Sequence, residues 1–127
     1  MRKVVARGID SLVLATLVVL VLGLTACGAG TSGPPEEVAQ GMELFRGTCA
    51  TCHGQDARGM PKLGKDLHDN EFIQGMSDVE LGTFFKEGRL ANHPDNEAKV
   101  DMPPKGGNPM LTDEDLRLIG VYVRSIQ

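Results

Sequence analysis

The chain has few of the large side chains that usually fill a protein core. It contains no Trp, one Tyr and four Phe among 127 residues. Its composition is otherwise that of a globular protein, with 41% hydrophobic and 24% charged residues, which argues against a wholly disordered chain. The formal net charge of −4 argues against a nucleic-acid binder. We therefore expect something other than protein to occupy the middle of the fold.

The chain also lacks a long apolar run. Residues 11–24 are almost wholly apolar but number only 14, whereas a membrane-spanning helix needs about 20 and the core of a signal peptide about 7–15. Three basic residues precede the run, and Leu24-Thr25-Ala26-Cys27 ends it. This ending resembles the lipobox of bacterial lipoproteins, in which the leader is removed and the Cys is acylated. We predict a signal peptide over residues 1–26 and a lipid anchor at Cys27, with an uncleaved signal anchor as the alternative.

The residues after Cys27 are small, or are Gly and Pro, which is typical of a tether. We assign residues 27–37 to the lipidated Cys and its flexible tether, and residues 38–127 to one domain. Removal of the leader would leave ten Lys and Arg residues against sixteen Asp and Glu residues, a net charge of −6. Such a charge favours docking onto basic surfaces.

No segment after the leader alternates in the way of a β-strand. Apolar residues instead recur at helical spacing and predict helices over residues 36–48, 69–76, 77–88 and 112–126. Ser77 with Glu80, and Thr112 with Asp115, form capping-box patterns at two of the helix starts. Residues 54–68 and 90–111 have no periodic pattern, and two such loops in a small domain indicate that they wrap around something.

The chemistry of the chain is concentrated in Cys49-Ala50-Thr51-Cys52-His53. This Cys-x-x-Cys-His pattern is the attachment signature of c-type haem, in which two thiols on one side of a helical turn join the vinyl groups and the His binds iron. A thioredoxin-like redox pair would require a βαβ context, which the pattern lacks. A zinc site would require two further ligands, and there is no second Cys pair.

Five segments, taken in order, resemble a class I bacterial c-type cytochrome over residues 38–127. They are Gly41-x-x-x-Phe45, Cys49–His53, Gly59-Met60-Pro61-Lys62-Leu63-Gly64, Asp101-Met102-Pro103-Pro104-Lys105-Gly106-Gly107 and Ile119-x-x-Tyr122. The resemblance implies an all-α cytochrome c fold of three to five short helices around one covalently attached haem, joined outside the cytoplasm. It also implies that the first and last helices cross closely, with Gly41 against Tyr122.

The resemblance places the sixth iron ligand at Met102, which lies 49 residues beyond His53 in a loop stiffened by two prolines. Met110 and His93 remain as alternatives, and a His93 ligand would give a bis-His haem of lower potential. The other methionines and His68 are expected to serve packing or surface roles; the methionines are Met42, Met60 and Met76.

The resemblance further implies that the carbonyl of Pro61 accepts a hydrogen bond from His53 and orients it. The haem propionates require donors, and the sequence offers four bases without choosing among them: Arg58, Lys62, Arg89 and Lys105.

We predict a monomeric electron carrier, not an enzyme, that acts on no small-molecule substrate. Its expected partners are a reductase and an oxidase with basic docking patches, and its expected place is the outer side of the cytoplasmic membrane. One alternative is a fixed haem relay within a membrane oxidase or reductase complex. Another is a haem sensor or peroxidase with a labile sixth ligand.

Overall fold

A computed structural model describes residues 35–127, which fold into short helices joined by two long loops. The α-helices are α1 (Pro35–Thr48), α2 (Ala50–His53), α3 (Glu71–Gln74), α4 (Asp78–Glu87) and α5 (Asp113–Ser125), and a 3-10 helix covers Pro104–Gly107. This part of the chain contains no strand, only two isolated bridges, Met60 with Gly64 and Arg89 with Met102. The predicted all-α class is therefore confirmed.

The predicted leader, the lipid anchor at Cys27 and the tether as far as residue 34 lie outside the described residues. Residues 35–37, which we assigned to the tether, form the first turn of α1. Pro35 suits the first helical position because its missing N–H has no partner there in any helix. Between residues 35 and 127, no helix is long and apolar enough to cross a membrane.

Local hydrogen bonds set the starts of α4 and α5. In both predicted capping boxes, the hydroxyl of the first residue accepts the N–H three residues on, and the acidic side chain bonds back to the N-cap N–H. Asn70 caps α3 through its side-chain oxygen, which accepts from Phe72 and Ile73. The sequence pattern predicts the start of this helix at residue 69 but does not identify Asn70 as its N-cap.

Helices α1 and α5 cross at Gly41, as the resemblance implied. A Cβ atom on Gly41 would lie 2.0 Å from the carbonyl oxygen of Leu118 and 3.0 Å from the Cβ of Tyr122. One turn further along α1, the rings of Phe45 and Tyr122 meet with centroids 5.1 Å apart. Phe45, Ile119 and Val123 are almost fully buried at this crossing, so it forms the packed part of the core.

Arg124, near the end of α5, ties that helix to the turn between α3 and α4. Its guanidinium donates to the carbonyl of Ile73 at 2.6 Å and to the carbonyl of Met76, and it pairs with Asp78 at 3.0 Å. Only 14% of the side chain is exposed. These bonds fix α4 against α5 on one side of the central cavity.

Candidate haem site

The interior contains a cavity of about 500 Å³, which is within the range of cofactor sites. Cys49, Cys52, His53 and Met102 all line it. Apolar side chains form much of the remaining wall, among them Phe45, Leu81, Phe84, Phe85, Ile119 and Val123. The expectation that the middle of the fold is not filled by protein is thus supported by the shape of the helical shell.

The end of α1 and the single turn of α2 place both thiols on this cavity. The Cys49 N–H donates to Phe45 at 2.7 Å, and the Cys49 carbonyl accepts from Cys52 at 3.1 Å and His53 at 3.0 Å. These bonds wind residues 49–53 into one tight turn, whose Ala50 is buried against the core. The Cys-x-x-Cys spacing therefore brings both sulfur atoms to the same wall of the cavity.

Burial, with a smaller effect from neighbouring Cys52, raises the pKa of the Cys49 thiol to about 11. Catalytic Cys-x-x-Cys pairs have the opposite property, since a lowered pKa supplies the thiolate that attacks disulfides. The protonated Cys49 thiol therefore argues against a thioredoxin-like function. Nor do the described residues 35–127 contain a cluster of three or more His, Cys, Asp or Glu side chains suited to a metal ion, so the zinc interpretation gains no support.

His53 is oriented by a main-chain carbonyl. Its Nδ1 lies 2.8 Å from the carbonyl oxygen of Lys65. Because a carbonyl only accepts hydrogen bonds, Nδ1 must carry the proton, and the lone pair remains on Nε2 for a metal.

The orienting residue is thus Lys65, and the prediction of Pro61 is wrong. Residues 60 and 64 exchange N–H···O bonds of 2.9 and 3.2 Å, which close a tight turn with Pro61 exposed on it. Gly64 packs directly on the chain before His53, since a Cβ there would lie 2.2 Å from the Cys52 carbonyl oxygen. This contact presents the next carbonyl, that of Lys65, to the imidazole.

Met102 is held on the cavity wall by its main chain. Its N–H donates to the Arg89 carbonyl, and its carbonyl accepts from the Arg89 N–H, each at 2.8 Å. Gly88 allows this approach, because a Cβ there would lie 2.2 Å from the Met102 carbonyl oxygen. Pro103 then restricts the chain that leaves Met102. Its assignment as an iron ligand stays a prediction that this placement favours.

Apart from His53 and Met102, no Met or His among residues 35–127, the alternative ligands Met110 and His93 included, lines the cavity. Met110 is 81% exposed and Met60 is 43% exposed, and neither lines the cavity. The Nδ1 of His93 accepts from the Asp95 N–H at 3.2 Å, and the Nε2 of His68 lies 2.9 Å from the Asp56 carbonyl. Neither histidine is on the cavity wall. Met42 and Met76 pack against the hydrophobic core, as expected.

The sequence analysis does not identify Asn96, whose hydrogen bonds shape the loop that precedes Met102 in the chain. Asn96 is only 7% exposed. Its amide donates to the carbonyls of Leu90 at 3.0 Å and Val100 at 2.7 Å, and its oxygen accepts from the Lys99 N–H. The Asn96 side chain thereby satisfies main-chain groups that have no partner in a helix or strand. Residues 94–98 of this loop line the cavity. No periodic or motif signal marks such a residue.

Four of the lining groups match the chemistry of covalently attached haem: two thiols for the vinyl edge, an imidazole with a defined tautomer, and a thioether sulfur. The helical fold and this donor set together define a c-type cytochrome domain.

The chain belongs to the family described as cytochrome C oxidase, cbb3-type, subunit III, whose profile matches residues 36–123. The cofactor is therefore covalently bound haem c with its iron, and the chain is a haem-containing electron-transfer protein.

Several curated relatives are similar to the chain. The cbb3-type cytochrome c oxidase subunit CcoP of Rubrivivax gelatinosus is 34% identical over 92 residues, which are 72% of this chain and 27% of that protein. The CcoP subunit of Rhodobacter capsulatus is 30% identical over 99 residues, 75% of this chain and 32% of that protein. Cytochrome c-555 of Prosthecochloris aestuarii is 33% identical over 82 residues, 63% of this chain and 78% of that protein. The chain spans about a third of the length of the CcoP relatives, and no solved structure matches it.

Proposed function

We propose that this chain is a one-electron haem relay that works within a membrane-bound cbb3-type oxidase assembly. The main observation behind the proposal is that one cavity is lined by all four candidate haem-binding residues, Cys49, Cys52, His53 and Met102. The similarity to CcoP subunits supports the relay over the lipid-tethered mobile carrier that the sequence alone favoured.

In this proposal the two cysteines attach the cofactor. Each thiol would add its sulfur and its hydrogen across one vinyl C=C bond, which gives a thioether without net oxidation or reduction. Two such bonds, from Cys49 and Cys52, would hold the cofactor beside α2.

In this proposal His53 and Met102 would be the two protein ligands that hold the iron. His53 presents Nε2 because its Nδ1–H is held by Lys65, and this bond also raises the basicity of the ring. The bound iron supplies a one-electron ferric–ferrous couple. The soft sulfur of Met102 and the apolar walls favour the ferrous form, because the ferric form carries the extra charge that a dry site solvates poorly.

The ligation test uses Met102→Leu with Met110→Leu as the matched control, since Met110 is exposed and off the cavity. Optical spectra of the haem-loaded wild type and M110L should show six-coordinate haem that carbon monoxide leaves unchanged, with the weak sulfur-to-ferric band. M102L should lose that band and bind carbon monoxide. If the wild type already binds carbon monoxide readily and lacks the band, the sixth site is open, and the sensor or peroxidase interpretation replaces the relay.

A second candidate is a tethered mobile carrier, which the match to 78% of the cytochrome c-555 chain supports. The two functions differ in how firmly the protein is bound to the oxidase. We expect the tagged chain to co-purify with a membrane oxidase through washes in 0.5 M salt. If the tagged chain is instead recovered without the oxidase, and the separately purified protein and oxidase exchange electrons rapidly, the mobile carrier is favoured.

We also propose that Cys27 is acylated and holds the domain to the outer side of the cytoplasmic membrane. The lipobox-like sequence before it supports this assignment. Cys27→Ser should abolish incorporation of labelled fatty acid, whereas Cys52→Ser should leave it intact. A wild-type chain that keeps its leader and takes up no labelled fatty acid would indicate an uncleaved signal anchor instead.

A further inference from the structure

Lys65 contributes to the haem site through its side chain as well as through its main chain. Its carbonyl accepts the hydrogen bond from the His53 imidazole, as described above. Its ammonium group donates to the carboxylate of Glu97, 32 residues further along the chain. Lys65 and Glu97 both line the cavity. One residue thus orients the imidazole and also holds a distant part of the chain at the cavity wall.

The ion pair joins two loops that line the cavity. Lys65 lies in residues 54–70, between α2 and α3. Glu97 lies in residues 90–101, which follow α4 and lead to Met102. In the part of the chain that the structure describes, no other ion pair or hydrogen bond runs from one of these loops to the other. The pair is therefore the one polar link between the loops that support the two candidate iron ligands.

The loop of residues 90–101 is stiffened by its own hydrogen bonds. Its buried Asn96 donates amide N–H groups to the carbonyls of Leu90 at 3.0 Å and Val100 at 2.7 Å. These two bonds bridge the ends of the loop. Because Glu97 follows Asn96 directly in the chain, a restraint on the Glu97 side chain is passed through Asn96 to both ends of the loop.

The ends of this loop are in turn attached to Met102. The Asp101 carboxylate accepts the Ala91 N–H at 2.6 Å. The main chains of Arg89 and Met102 then bond to each other in both directions, each at 2.8 Å. A continuous set of hydrogen bonds thus leads from the loop that contains Glu97 to Met102, which is the physical contact that coupling between two sites requires.

The attraction between Lys65 and Glu97 is real but moderate. Hydrogen bonding from Lys65, together with its charge, lowers the pKa of Glu97 from its ordinary value of 4.5, so the carboxylate is ionised at neutral pH. The two side chains are 51% and 77% exposed, and an exposed pair changes an equilibrium by up to about fivefold and is weakened by salt. The pair can therefore adjust how often the loop opens without deciding whether the domain folds.

We infer that the ion pair of Lys65 and Glu97 is a strap that fastens this loop across the cavity and thereby holds Met102 in place. The inference rests on the proposed function, since Met102 is the proposed ligand of the same haem. Lys65 and Glu97 are positioning residues in this account, because they act on Met102 through the loop. A change in the Lys65 side chain should therefore loosen Met102 while the Lys65 carbonyl still orients His53.

The test measures how often the loop opens in haem-loaded Lys65→Gln, Glu97→Gln and the charge-reversed double variant K65E/E97K. Lys62→Gln is the matched control, because Lys62 is an exposed base in the same loop as Lys65 and does not line the cavity. Hydrogen exchange of the Met102 N–H, which is bonded to the Arg89 carbonyl, reports opening whatever group binds the iron. Exchange should be about three- to fivefold faster than in the wild type in K65Q and E97Q. It should return to the wild-type rate in K65E/E97K and be unchanged in K62Q.

Two further measurements separate a strap from a general loss of stability. In about 1 M salt, where charges are screened over about 3 Å, the wild-type exchange rate should rise toward that of K65Q, and the rate of K65Q should stay constant. Added imidazole should displace Met102 from ferric iron, which is followed as loss of the sulfur-to-ferric band. This displacement should be faster in K65Q and E97Q by the same factor as the exchange.

Exchange rates in K65Q and E97Q that equal the rate in K62Q would overturn the inference. So would exchange in K65E/E97K that is as fast as in K65Q, because the attraction of opposite charges would then not be what fastens the loop. The proposed function is judged separately, on the wild type. A wild type whose covalent haem binds carbon monoxide readily would refute the relay, while the exchange rates would still decide whether the strap holds the loop.

Discussion

Gly41 in α1 lies so close to Leu118 in α5 that a Cβ atom at residue 41 would be 2.0 Å from the Leu118 carbonyl oxygen. The obstacle is main chain, which cannot rotate away as a side chain can. The crossing of the two helices therefore depends on the missing methyl group. Because the same helices supply cavity residues Phe45 and Ile119, the crossing also sets the shape of the haem site.

We expect Gly41→Ala to lower the free energy of unfolding by about 3 kcal/mol, the upper range for an overpacked core. Gly47→Ala is the matched control in the same helix, since a Cβ there meets nothing within 4 Å. G47A should raise the stability by about 0.5–1 kcal/mol through helix propensity. Denaturant unfolding of both haem-loaded variants measures the difference. Equal stabilities would show that the helices separate at no cost.

The capped helix starts could be predicted from the sequence, because they depend on residue types at fixed offsets. The crossing of Gly41 with Leu118 joins distant parts of the chain, and only the family resemblance implied it. The acceptor of the hydrogen bond from His53 could not be predicted. A main-chain carbonyl has no residue signature, and a turn closing between Met60 and Gly64 moved it from Pro61 to Lys65. Asn96 and the placement of Arg89 depend in the same way on how a non-periodic loop folds back on itself, which no local pattern encodes.

We expect Gly64→Ala to impair haem attachment, because a Cβ there would lie 2.2 Å from the Cys52 carbonyl oxygen and push away the loop that orients His53. Gly82→Ala is the control, since nothing lies within 4 Å of a Cβ at that position. The yield of covalent haem per chain, measured on denatured protein, should fall at least fivefold in G64A and stay unchanged in G82A. A normal yield in G64A would show that the loop shifts without disturbing the imidazole.

Arg124 offers a test of the bonds that hold α4 to α5. Arg124→Gln should lower the free energy of unfolding by about 2–4 kcal/mol, because the carbonyls of Ile73 and Met76 lose charged donors in a partly buried place. Arg46→Gln is the control, since Arg46 is exposed and, within residues 35–127, its one ion pair is with Glu43 at 3.7 Å. It should change the stability by less than about 0.5 kcal/mol. Equal effects of the two substitutions would contradict a structural role for Arg124.

The capping box of α4 should make part of the stability depend on pH. Hydrogen bonds from the Ser77 N–H and hydroxyl lower the pKa of Glu80 from its ordinary value of 4.5. A carboxyl whose pKa is lowered by folding stabilises the fold above its unfolded pKa and loses that effect as the pH falls through the folded value. Glu80→Gln should therefore be less stable than the wild type at pH 7 and equal to it near pH 2. Thermal unfolding at both pH values measures this, and a gap that is constant with pH would rule out the ionised carboxylate as its source.

The charge of the domain should govern how fast it meets its redox partners. Residues 35–127 carry sixteen Asp and Glu against ten Lys and Arg, so a basic partner is attracted over a distance that shrinks with salt, from about 30 Å at 0.01 M to about 8 Å at 0.15 M. We expect the second-order rate of electron exchange with a basic redox protein to fall at least tenfold over that range, within the known span of electrostatic steering. An acidic redox protein of similar potential is the control, and its rate should rise with salt because the repulsion is screened. Rates that do not change with salt for the basic partner would mean that docking depends on apolar contact around the haem cavity rather than on charge.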